Sequence, residues 1–395
     1  MRIQSMDIFR ADGGWRPLSF LRLRTDTGLT GWSEFAESVW APGLADVILA
    51  LGTRVVGSDP RVWAKLSADL HALTQFTAGG LSHQAVAAIE NACLDLAGKA
   101  LGVPVYQLFG GPLRQDIELY WSHCGSFRVR DPDFFSRVLG CSPVRGLVDL
   151  PALGREAGQR GYGTVKTNPM AFDDGAPVLL NPGFAPGLAH GRTLDGRTLA
   201  GIVAQCRALR DGLGPDRGLM LDVNFSLHPG ALRRLGRALA DVGLTWLEAD
   251  LASPEALAAV RSAVPVPIAS LESLHGRRAY RPYFEAGAVD VAVIDVLWNG
   301  LGESLRIAAL AESHEVNVAP HNFYGPLADL MAAHFSAVVP NLEIMEIEGD
   351  DVPWKYELLT QAPVRRDGRL AILQGPGWGA EIDEKVLAAH PWPRG

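Results

Sequence analysis

Eight short apolar runs, separated by stretches with helical periodicity, dominate the chain after residue 116. The runs cover residues 117–124, 163–168, 218–224, 245–250, 266–271, 289–295, 317–321 and 342–347. Helical patterns fill most of the gaps, for example at 197–213, 254–264, 302–314 and 326–338. Strands that alternate with helices over roughly 230 residues predict a closed parallel barrel, with a doubly wound parallel sheet as the alternative.

The residues before these runs have a different pattern. Polar and apolar residues alternate over 18–24, residues 25–28 indicate a turn, and 30–34 complete a predicted β-hairpin. Helical periodicity follows and is clearest over 82–98, where one face is apolar. Strands followed by helices predict an α+β domain that precedes the barrel.

Domain boundaries follow from these two patterns. The breaker sequence Gly110-Gly111-Pro112 suits the end of the first domain. We therefore expect an α+β domain over residues 1–115 and a barrel over residues 116–355. Residues 356–395 have no obvious place in a barrel and are expected to pack back onto the first domain, as part of it.

Composition excludes several classes of protein. The chain has 36 lysine and arginine residues against 44 aspartate and glutamate residues, a net charge of −8, and no basic run stands out, so we expect no nucleic-acid and no membrane partner. The N-terminus lacks the apolar segment of a secretion signal, and no stretch of about 18 apolar residues occurs. The widely spaced cysteines predict reduced thiols of a cytoplasmic protein. They are Cys93, Cys124, Cys141 and Cys206.

Three successive apolar runs each end in a carboxylate. Asp222, Glu248 and Glu272 follow one another at spacings of 26 and 24 residues. The C-terminal ends of parallel barrel strands meet at one mouth, so these side chains are expected to converge there. A single acid at a strand end is most often solvated, but three in consecutive units would repel one another strongly. A bound divalent cation resolves the repulsion, and all-oxygen ligation favours Mg²⁺.

Other runs end in groups suited to proton transfer. Lys166 and Asn168 stand two residues apart and therefore on one strand face. Asp295 and His321 end neighbouring strands, where the carboxylate can orient the imidazole and raise its basicity. Glu346 lies in the last apolar run. Beside a metal site, His321 is the leading candidate for a general base.

The order Lys, Asp, Glu, Glu, Asp, His, Glu on successive strands resembles the mandelate racemase/muconate lactonizing enzyme group of the enolase superfamily. The resemblance covers most of the chain, including motifs at 87–99, 108–111, 221–224, 246–248, 320–322 and 340–346. It implies a (β/α)7β barrel, related to the TIM barrel, with an α+β capping domain. It also implies an essential Mg²⁺ that stabilises an enolate formed by removing the proton α to a carboxylate.

The resemblance assigns roles to the strand-end residues. Asp222, Glu248 and Glu272 would bind Mg²⁺, and His321 with Asp295 would form the acid/base dyad. Further groups would contact the substrate or support the metal site. They are Lys166 at the substrate carboxylate, Glu346 as a hydrogen-bond donor and Asn224 as a polar neighbour of the metal.

Three features depart from the family pattern or extend it. Asn168 occupies the place of a second lysine base, and an asparagine takes up no proton at neutral pH. A Gly- and Pro-rich insertion at 169–196 follows that strand and is expected to form part of the wall of the site. Trp15 and the segment 75–77 fall where capping loops lie, which makes Trp15 a candidate for substrate binding.

The sequence therefore predicts a Mg²⁺-dependent lyase that dehydrates an acid sugar, an aldonate or an aldarate. The alternatives are a racemase, epimerase or cycloisomerase on the same scaffold, or a barrel that binds a sugar acid without catalysis. The expected partner is a small carboxylate substrate. We also expect a homo-oligomer, since related barrels commonly associate.

Overall fold

The computed structural model describes residues 1–172, 176–180 and 194–393. The chain begins with an antiparallel sheet of three strands, β1 (Ile3–Asp12), β2 (Pro17–Thr25) and β3 (Thr30–Phe35). Three helices follow it, α1 (Leu44–Gly52), α2 (Trp63–Leu73) and α3 (Gly80–Leu101). The predicted hairpin is the β2–β3 pair, and the helix predicted at 82–98 lies within α3.

Close packing of α3 on β3 depends on Gly31. A Cβ atom at residue 31 would lie 2.4 Å from the carbonyl oxygen of Ala92 and 2.5 Å from Cγ of Leu96. Glycine is therefore required where the strand touches the helix. The apolar face predicted for this helix is buried, as are its other residues from Gln84 to Gly98. The residues of the apolar face are Ala85, Ala88, Ile89, Ala92, Cys93 and Leu96.

The second part of the chain alternates strands with helices. Its strands are β4 (Asp116–Ser122), β5 (Thr164–Thr167), the short pair β6 (Met170–Ala171) and β7 (Val178–Leu179), β8 (Gly218–Asp222), β9 (Trp246–Glu248), β10 (Ile268–Ser270), β11 (Val291–Asp295), β12 (Asn317–His321) and β13 (Met345–Glu348). Every strand from β4 to β13 except β6 and β7 corresponds to one of the predicted apolar runs.

The helices between these strands are α4 (Ser126–Arg130), α5 (Pro132–Arg137), α6 (Leu150–Gln159), α7 (Gly196–Leu213), α8 (Pro229–Ala238), α9 (Pro254–Arg261), α10 (Arg277–Glu285), α11 (Val296–Asn299), α12 (Leu301–Glu312) and α13 (Pro326–Val338). Of these, α7, α9, α12 and α13 match the four predicted helical segments. Local sequence signals set several of their starts. Asp195 accepts a hydrogen bond from Thr198 N at the start of α7, and Ser253 accepts one from Ala256 N before Pro254 of α9.

The parallel sheet closes on itself. Strands β4, β5, β8, β9, β10, β11 and β12 are neighbours in that order, and β13 pairs in parallel with β4. A parallel bridge between Val318 and Leu342 joins β12 to the segment that leads into β13. The barrel is therefore confirmed, and the open doubly wound sheet is excluded.

A separate hydrophobic cluster of buried residues lies inside the barrel. This cluster comprises Tyr120, Met220, Trp246, Ala269, Val291, Val293, Ala319 and Ile344. Side chains alternate along a strand, so the polar residues that follow these positions come to lie at the C-terminal mouth.

The C-terminal tail contains β14 (Arg365–Arg366), β15 (Arg369–Ala371) and α14 (Glu384–Ala389). Strand β15 pairs antiparallel with β4, while Trp378 reaches the N-terminal region. Its backbone N donates to Asp95 of α3 at 2.9 Å, and its indole N donates to the carbonyl of Trp32 at 2.8 Å. The tail thus packs on the first domain as expected. The domain boundaries at residues 115 and 355 stay predictions.

The insertion predicted at 169–196 falls mostly outside the described residues. Within it, Met170 and Ala171 pair with Leu179 and Val178. Residues 173–175 and 181–193 are not among those described, so a role of this segment in the wall of the site stays a prediction.

The cysteines are free thiols, and Cys141 alone is half-buried while Cys93, Cys124 and Cys206 are buried. Within the described ranges, no helix is long and apolar enough to cross a membrane.

Glu34 of β3 links the N-terminal domain to the barrel. Its carboxylate accepts hydrogen bonds from the backbone N atoms of Gly325, Leu327 and Ala328, at the N-terminus of α13. Burial raises the pKa of Glu34 to about 7, although these hydrogen bonds oppose the increase. The carboxyl group of a residue from one domain therefore caps the helix that directly follows the strand of His321.

We expect stability to depend on the ionisation of Glu34. The pKa of about 7 in the folded protein exceeds the ordinary value of 4.5, so the contribution is complete below about pH 4.5 and is lost as the pH rises through 7. The shift corresponds to about 3 kcal/mol. Thermal unfolding from pH 5.5 to 8.5 should therefore show the wild type losing stability relative to Glu34→Gln. The exposed Glu357→Gln variant is the control, and parallel pH profiles of all three proteins would contradict the role of Glu34.

Candidate active site

The polar residues predicted at strand ends meet at the barrel mouth. Asp222 on β8 stands in register with Glu248 on β9, and Asp295 on β11 stands in register with His321 on β12. Lys166 lies on β5 beside β8, and Glu346 lies on β13 beside β4. Because the parallel strands are in register, these side chains lie at the same level along the barrel axis.

Lys166 is surrounded by carboxylates. Its Nζ atom lies 2.9 Å from Glu346 Oε1, 3.1 Å from Glu248 Oε1 and 4.0 Å from Asp222 Oδ2. Burial lowers the pKa of Lys166, but the charges of Glu248 and Glu346 outweigh it and hold that pKa well above its usual value. Lys166 is therefore a fixed positive charge inside the mouth.

Two asparagines hold Asp222. Nδ2 of Asn168 donates to Asp222 O at 3.2 Å and to Oδ2 at 3.3 Å. From the other side, the backbone N of Asn224 donates to Oδ1 at 2.8 Å and its Nδ2 donates to Oδ2 at 3.2 Å. Burial and the charge of Glu248 raise the pKa of Asp222 to about 7. Both asparagines thus orient the Asp222 carboxylate; their predicted contact with substrate stays a prediction.

Glu272 follows an unusual backbone turn. Leu271, the first residue after β10, has φ +91°, a conformation that branched side chains rarely adopt. Asp250 supports the turn, since its Oδ1 accepts hydrogen bonds from Leu271 N at 2.9 Å and Ser270 Oγ at 2.6 Å. Glu272, 12% exposed, is thereby directed toward His321. Burial raises its pKa well above the usual range.

His321 and Asp295 form the predicted dyad. Nδ1 of His321 lies 2.7 Å from Asp295 Oδ2, and Nε2 lies 3.5 Å from Glu272 Oε2. Since a carboxylate only accepts hydrogen bonds, Nδ1 carries the proton and Nε2 is the reactive nitrogen. Burial lowers the pKa of His321, but the charge of Glu272 and the hydrogen bond with Asp295 outweigh it and raise that pKa to about 10.

Tyr324 belongs to the same hydrogen-bond network. Its hydroxyl donates to Asp295 Oδ2 at 2.6 Å and lies 3.3 Å from His321 Nδ1. Asp295 Oδ1 also accepts from the backbone N of Trp298 at 2.9 Å, at the start of α11. Asp295 is therefore held on both oxygens, which fixes the plane of the imidazole. The sequence offered one signal for Tyr324, its position three residues after His321.

Glu346 is held in the mouth from three sides. Besides Lys166, it accepts hydrogen bonds from Ser122 Oγ at 2.5 Å and from the backbone N of Asn322 at 2.7 Å. Burial raises its pKa, but the charge of Lys166 outweighs it and the pKa is lowered overall. The carboxylate is thus charged and accepts hydrogen bonds, so the predicted donation from Glu346 to a substrate carboxylate would require its protonation.

Trp15 lies in an aromatic cluster near the mouth. Its ring packs 5.5 Å from that of Phe127, which stacks on His123 at 4.1 Å. His123, the residue after β4, also lies 5.2 Å from Phe323, which contacts His321. Trp15 therefore reaches the neighbourhood of the dyad through other rings. Segment 75–77 forms a 3₁₀ turn in which Phe76 is 93% exposed.

His123 was missed as a functional candidate in the sequence. Its Nδ1 lies 3.0 Å from Glu348 Oε2, and burial lowers its pKa to about 3. A neutral imidazole at the end of the first barrel strand is another hydrogen-bonding group at the mouth. Its position at the end of a predicted strand could have indicated this role. Asp250, two residues after Glu248, carried a comparable signal.

The chemistry of the carboxylates fits a hard divalent cation. Asp222, Glu248, Asp250 and Glu272 are brought together with the single ammonium group of Lys166, and burial raises the pKa of Asp250 and Asp222. Such a negative cluster of oxygen donors is typical of a Mg²⁺ site. Among the described residues, no three His, Cys, Asp or Glu side chains are already gathered around one point; Nζ of Lys166 donates to Glu248 Oε1 at 3.1 Å.

Two family descriptions match the chain. Residues 11–110 match the mandelate racemase/muconate lactonizing enzyme N-terminal domain, and residues 151–386 match the enolase C-terminal domain-like family. A capped barrel with acidic strand ends and a Lys–His pair is the architecture of an enzyme of the enolase superfamily. The chain belongs to the mandelate racemase/muconate lactonizing enzyme group of this superfamily.

Relatives of the chain have several activities. It is 29% identical to a D-galactonate dehydratase family member of Streptomyces bingchenggensis, covering 99% of this chain and 93% of the relative. It is 28% identical to the D-galactarolactone cycloisomerase of Agrobacterium fabrum, covering 94% and 91%. These relatives are lyases and isomerases, and the chain is accordingly an enzyme of one of these two classes.

A solved structure from Burkholderia xenovorans strain LB400 superposes with TM-score 0.95 at 43% identity, covering 99% of this chain and 96% of that chain. That protein, provisionally named an L-alanine-DL-glutamate epimerase, is bound to magnesium and fumarate. A provisionally named galactarate dehydratase from Agrobacterium radiobacter, bound to sodium and L-malate, superposes with TM-score 0.81 at 26% identity, covering 100% and 97%.

Proposed function

We propose that this enzyme removes the proton α to a carboxylate of an acid sugar and dehydrates it to a 2-keto-3-deoxy acid. The observation that carries the proposal is the His321–Asp295 dyad, oriented with Nε2 toward a mouth lined by carboxylates and Lys166. The dehydratase relatives support the reaction class. Cytoplasmic location and a homo-oligomeric state stay predictions.

The residues of the chain divide the reaction between them. In its neutral form, His321 accepts the α-proton at Nε2, while Asp295 and Tyr324 hold the imidazole in place. The ammonium group of Lys166 stabilises the negative charge that develops on the substrate carboxylate. The protonated Nε2 then returns a proton to the departing β-hydroxyl, so one water leaves and the enol becomes the 2-keto product.

Asp222, Glu248 and Glu272 would hold Mg²⁺, with Asn168 and Asn224 orienting Asp222. When bound, the cation supplies positive charge that stabilises the enediolate form of the substrate. Relatives bound to fumarate with magnesium, and to L-malate with sodium, support a site for small carboxylates.

Epimerisation at the α-carbon is a second candidate, favoured by the name of the 43%-identical structure. It requires a base on the substrate face opposite His321. The family resemblance puts Asn168 in the place of that base, and an asparagine takes up no proton, so Lys166 is the group that could serve. The two candidates therefore differ in how many faces of the α-carbon exchange their proton.

We expect proton exchange from one face only. Substrate incubated in D₂O with Mg²⁺ should incorporate α-deuterium with retained configuration, and NMR should detect a 2-keto-3-deoxy product. A panel of aldonates and aldarates, screened for 2-keto product, identifies the substrate. Net epimerisation that disappears in Lys166→Ala would establish the second candidate instead. A barrel that only binds sugar acids would show neither exchange nor product.

A further inference from the structure

Asp250 follows β9 and lies between the ends of β8 and β10. The pairing of these strands puts Glu248 opposite Asp222 on one side and opposite Ala269 on the other. Asp250, two residues further along the chain, continues this alignment beyond the ends of the strands and is 8% exposed. From this position it contacts the backbone that leads to candidate metal ligands on both neighbouring strands.

The side chain of Asp250 holds the turn that carries Glu272. Its Oδ1 accepts hydrogen bonds from Leu271 N at 2.9 Å and from Ser270 Oγ at 2.6 Å. Leu271 has φ +91°, a conformation that strains a leucine and persists only where the surrounding structure holds it. Hydrogen bonds from a backbone N–H to a carboxylate are among the strong ones in proteins. The Asp250 carboxylate therefore fixes the backbone from which Glu272 extends.

The backbone of Asp250 contacts the other neighbouring strand end. Its N atom donates to the carbonyl oxygen of Asn224 at 3.0 Å. Asn224 also has a positive φ, +45°, and in this conformation its backbone N and its Nδ2 both donate to the Asp222 carboxylate. Backbone strain of this kind clusters at ligand sites, where the surroundings maintain it. Two strained residues thus stand on either side of Asp250, and each one adjoins or orients a candidate metal ligand.

Fixed ligands matter more for Mg²⁺ than for Ca²⁺. Mg²⁺ requires near-ideal octahedral geometry with oxygens at about 2.0–2.1 Å, whereas Ca²⁺ accepts about six to eight oxygens at about 2.3–2.6 Å in flexible arrangements. Loss of ligand positioning should therefore weaken the binding of Mg²⁺ more than the binding of Ca²⁺. A residue that fixes Glu272 influences both the affinity of the site and its preference between these ions.

We propose that Asp250 is a positioning residue for the cation. It fixes Glu272 through Leu271 and thereby sets the affinity of the site for Mg²⁺ and the preference for Mg²⁺ over Ca²⁺. The inference rests on the proposed function, in which Asp222, Glu248 and Glu272 hold the cation. Asp250 contributes a correctly placed hydrogen-bond acceptor, and its role depends on that acceptor rather than on its negative charge.

Calorimetric titration with Mg²⁺ and with Ca²⁺ tests this role without any substrate. We expect Asp250→Ala to weaken Mg²⁺ binding by at least about tenfold, the effect typical of residues that support metal ligands, and Ca²⁺ binding by no more than about threefold. Asp250→Asn keeps an acceptor oxygen and removes the charge, so both affinities should stay within about threefold of the wild type. Equal losses in the two variants would overturn the inference, because they would assign the effect to the charge.

Asp290 provides a matched control on the same strand. Its Oδ2 accepts a hydrogen bond from Ile268 N at 2.8 Å, at the end of β10 opposite to the mouth. Asp290→Ala therefore removes the same kind of bond and should lower the melting temperature while both metal affinities stay unchanged. If Asp290→Ala changed the affinities as much as Asp250→Ala does, the effect would be general destabilisation and the inference would be wrong.

Asp250→Glu keeps the charge but displaces the acceptor by one methylene group. It should resemble Asp250→Ala in both affinities, and it replaces that variant if Asp250→Ala fails to fold. Melting temperatures verify which variants are folded. Wild-type affinity for Mg²⁺ in a folded Asp250→Ala or Asp250→Glu protein would overturn the inference.

Failure of this inference is distinct from failure of the proposed function. Loss of Mg²⁺ binding in Glu248→Gln together with unchanged affinity in Asp250→Ala would overturn the role of Asp250 and leave the proposed metal site in place. α-Deuterium exchange with wild-type enzyme reports the proposed chemistry independently of these variants. Weaker Mg²⁺ binding in Asp250→Ala, without exchange or product in the wild type, would support the inference and contradict the proposed reaction.

Discussion

Replacing His321 by asparagine is expected to abolish α-proton exchange and product formation together, by roughly 10³- to 10⁴-fold. Asparagine preserves a polar side chain of similar reach but offers no basic nitrogen at neutral pH. The proton affinity of His321 depends on Asp295 at 2.7 Å and on the charge of Glu272. NMR measurement of exchange in D₂O, together with turnover of the identified substrate, gives both rates.

The partners of His321 provide graded tests. Asp295→Asn leaves the geometry intact but can present an N–H to Nδ1, which favours the wrong imidazole tautomer, and we expect a loss comparable to that of His321→Asn. Tyr324→Phe removes only the second hydrogen bond to Asp295 and should reduce kcat less, by about tenfold. His314→Asn, an exposed histidine distant from the mouth, is the control. Normal exchange in His321→Asn would mean that another group is the base.

The barrel and most of its mouth were predictable from the sequence for a simple physical reason. In a closed parallel barrel, side chains alternate strictly between interior and exterior, and all strands end at one rim. The polar residue that ends an apolar run therefore lies at this rim of the barrel. Asp222 and Glu248, or Asp295 and His321, meet because their strands are neighbours in register. In this barrel, the order of the strands in the sequence determines which strands pair. The sequence therefore indicates which strand-end residues become neighbours.

Residues outside the strands were not predictable in this way. Glu272 was predicted at the mouth, but the turn that directs it there was not, because it depends on Leu271 at φ +91° and on Asp250, and no local pattern indicates such a turn. Arg16 reaches Tyr324 only because the N-terminal domain covers this part of the barrel, a contact between residues separated by 308 positions in the sequence. The hydrogen bond from the Asn168 amide to Asp222 could not be predicted either, because it joins two different strands in the folded protein.

The electrostatics of the mouth lead to the other large effect. Asp222, Asp250 and Glu272 all have pKa values raised by burial, and Lys166 faces them as a fixed positive charge. Without a further cation, negative charge at this depth is only partly compensated. Mg²⁺ binding should therefore stabilise the fold measurably, by about 2.7 kcal/mol when Mg²⁺ is present at 100 times its Kd. Thermal unfolding with and without Mg²⁺ measures this.

Glu248→Gln is expected to abolish activity and to weaken Mg²⁺ binding by roughly 100-fold or more. Substituting a residue that only supports a metal ligand typically lowers metal affinity by about 10- to 100-fold, and loss of a ligand charge should cost at least as much. Glutamine has the same shape, so no cavity forms, and its oxygen can still accept the hydrogen bond from Trp246 Nε1, now 2.9 Å from Glu248 Oε2. Stabilisation by Mg²⁺ should disappear with the activity. Glu343→Gln, at the exposed side chain that accepts from Asn317, should keep both. Unchanged Mg²⁺ affinity in Glu248→Gln, measured by calorimetry, would show that Glu248 is not a ligand, whatever happens to turnover.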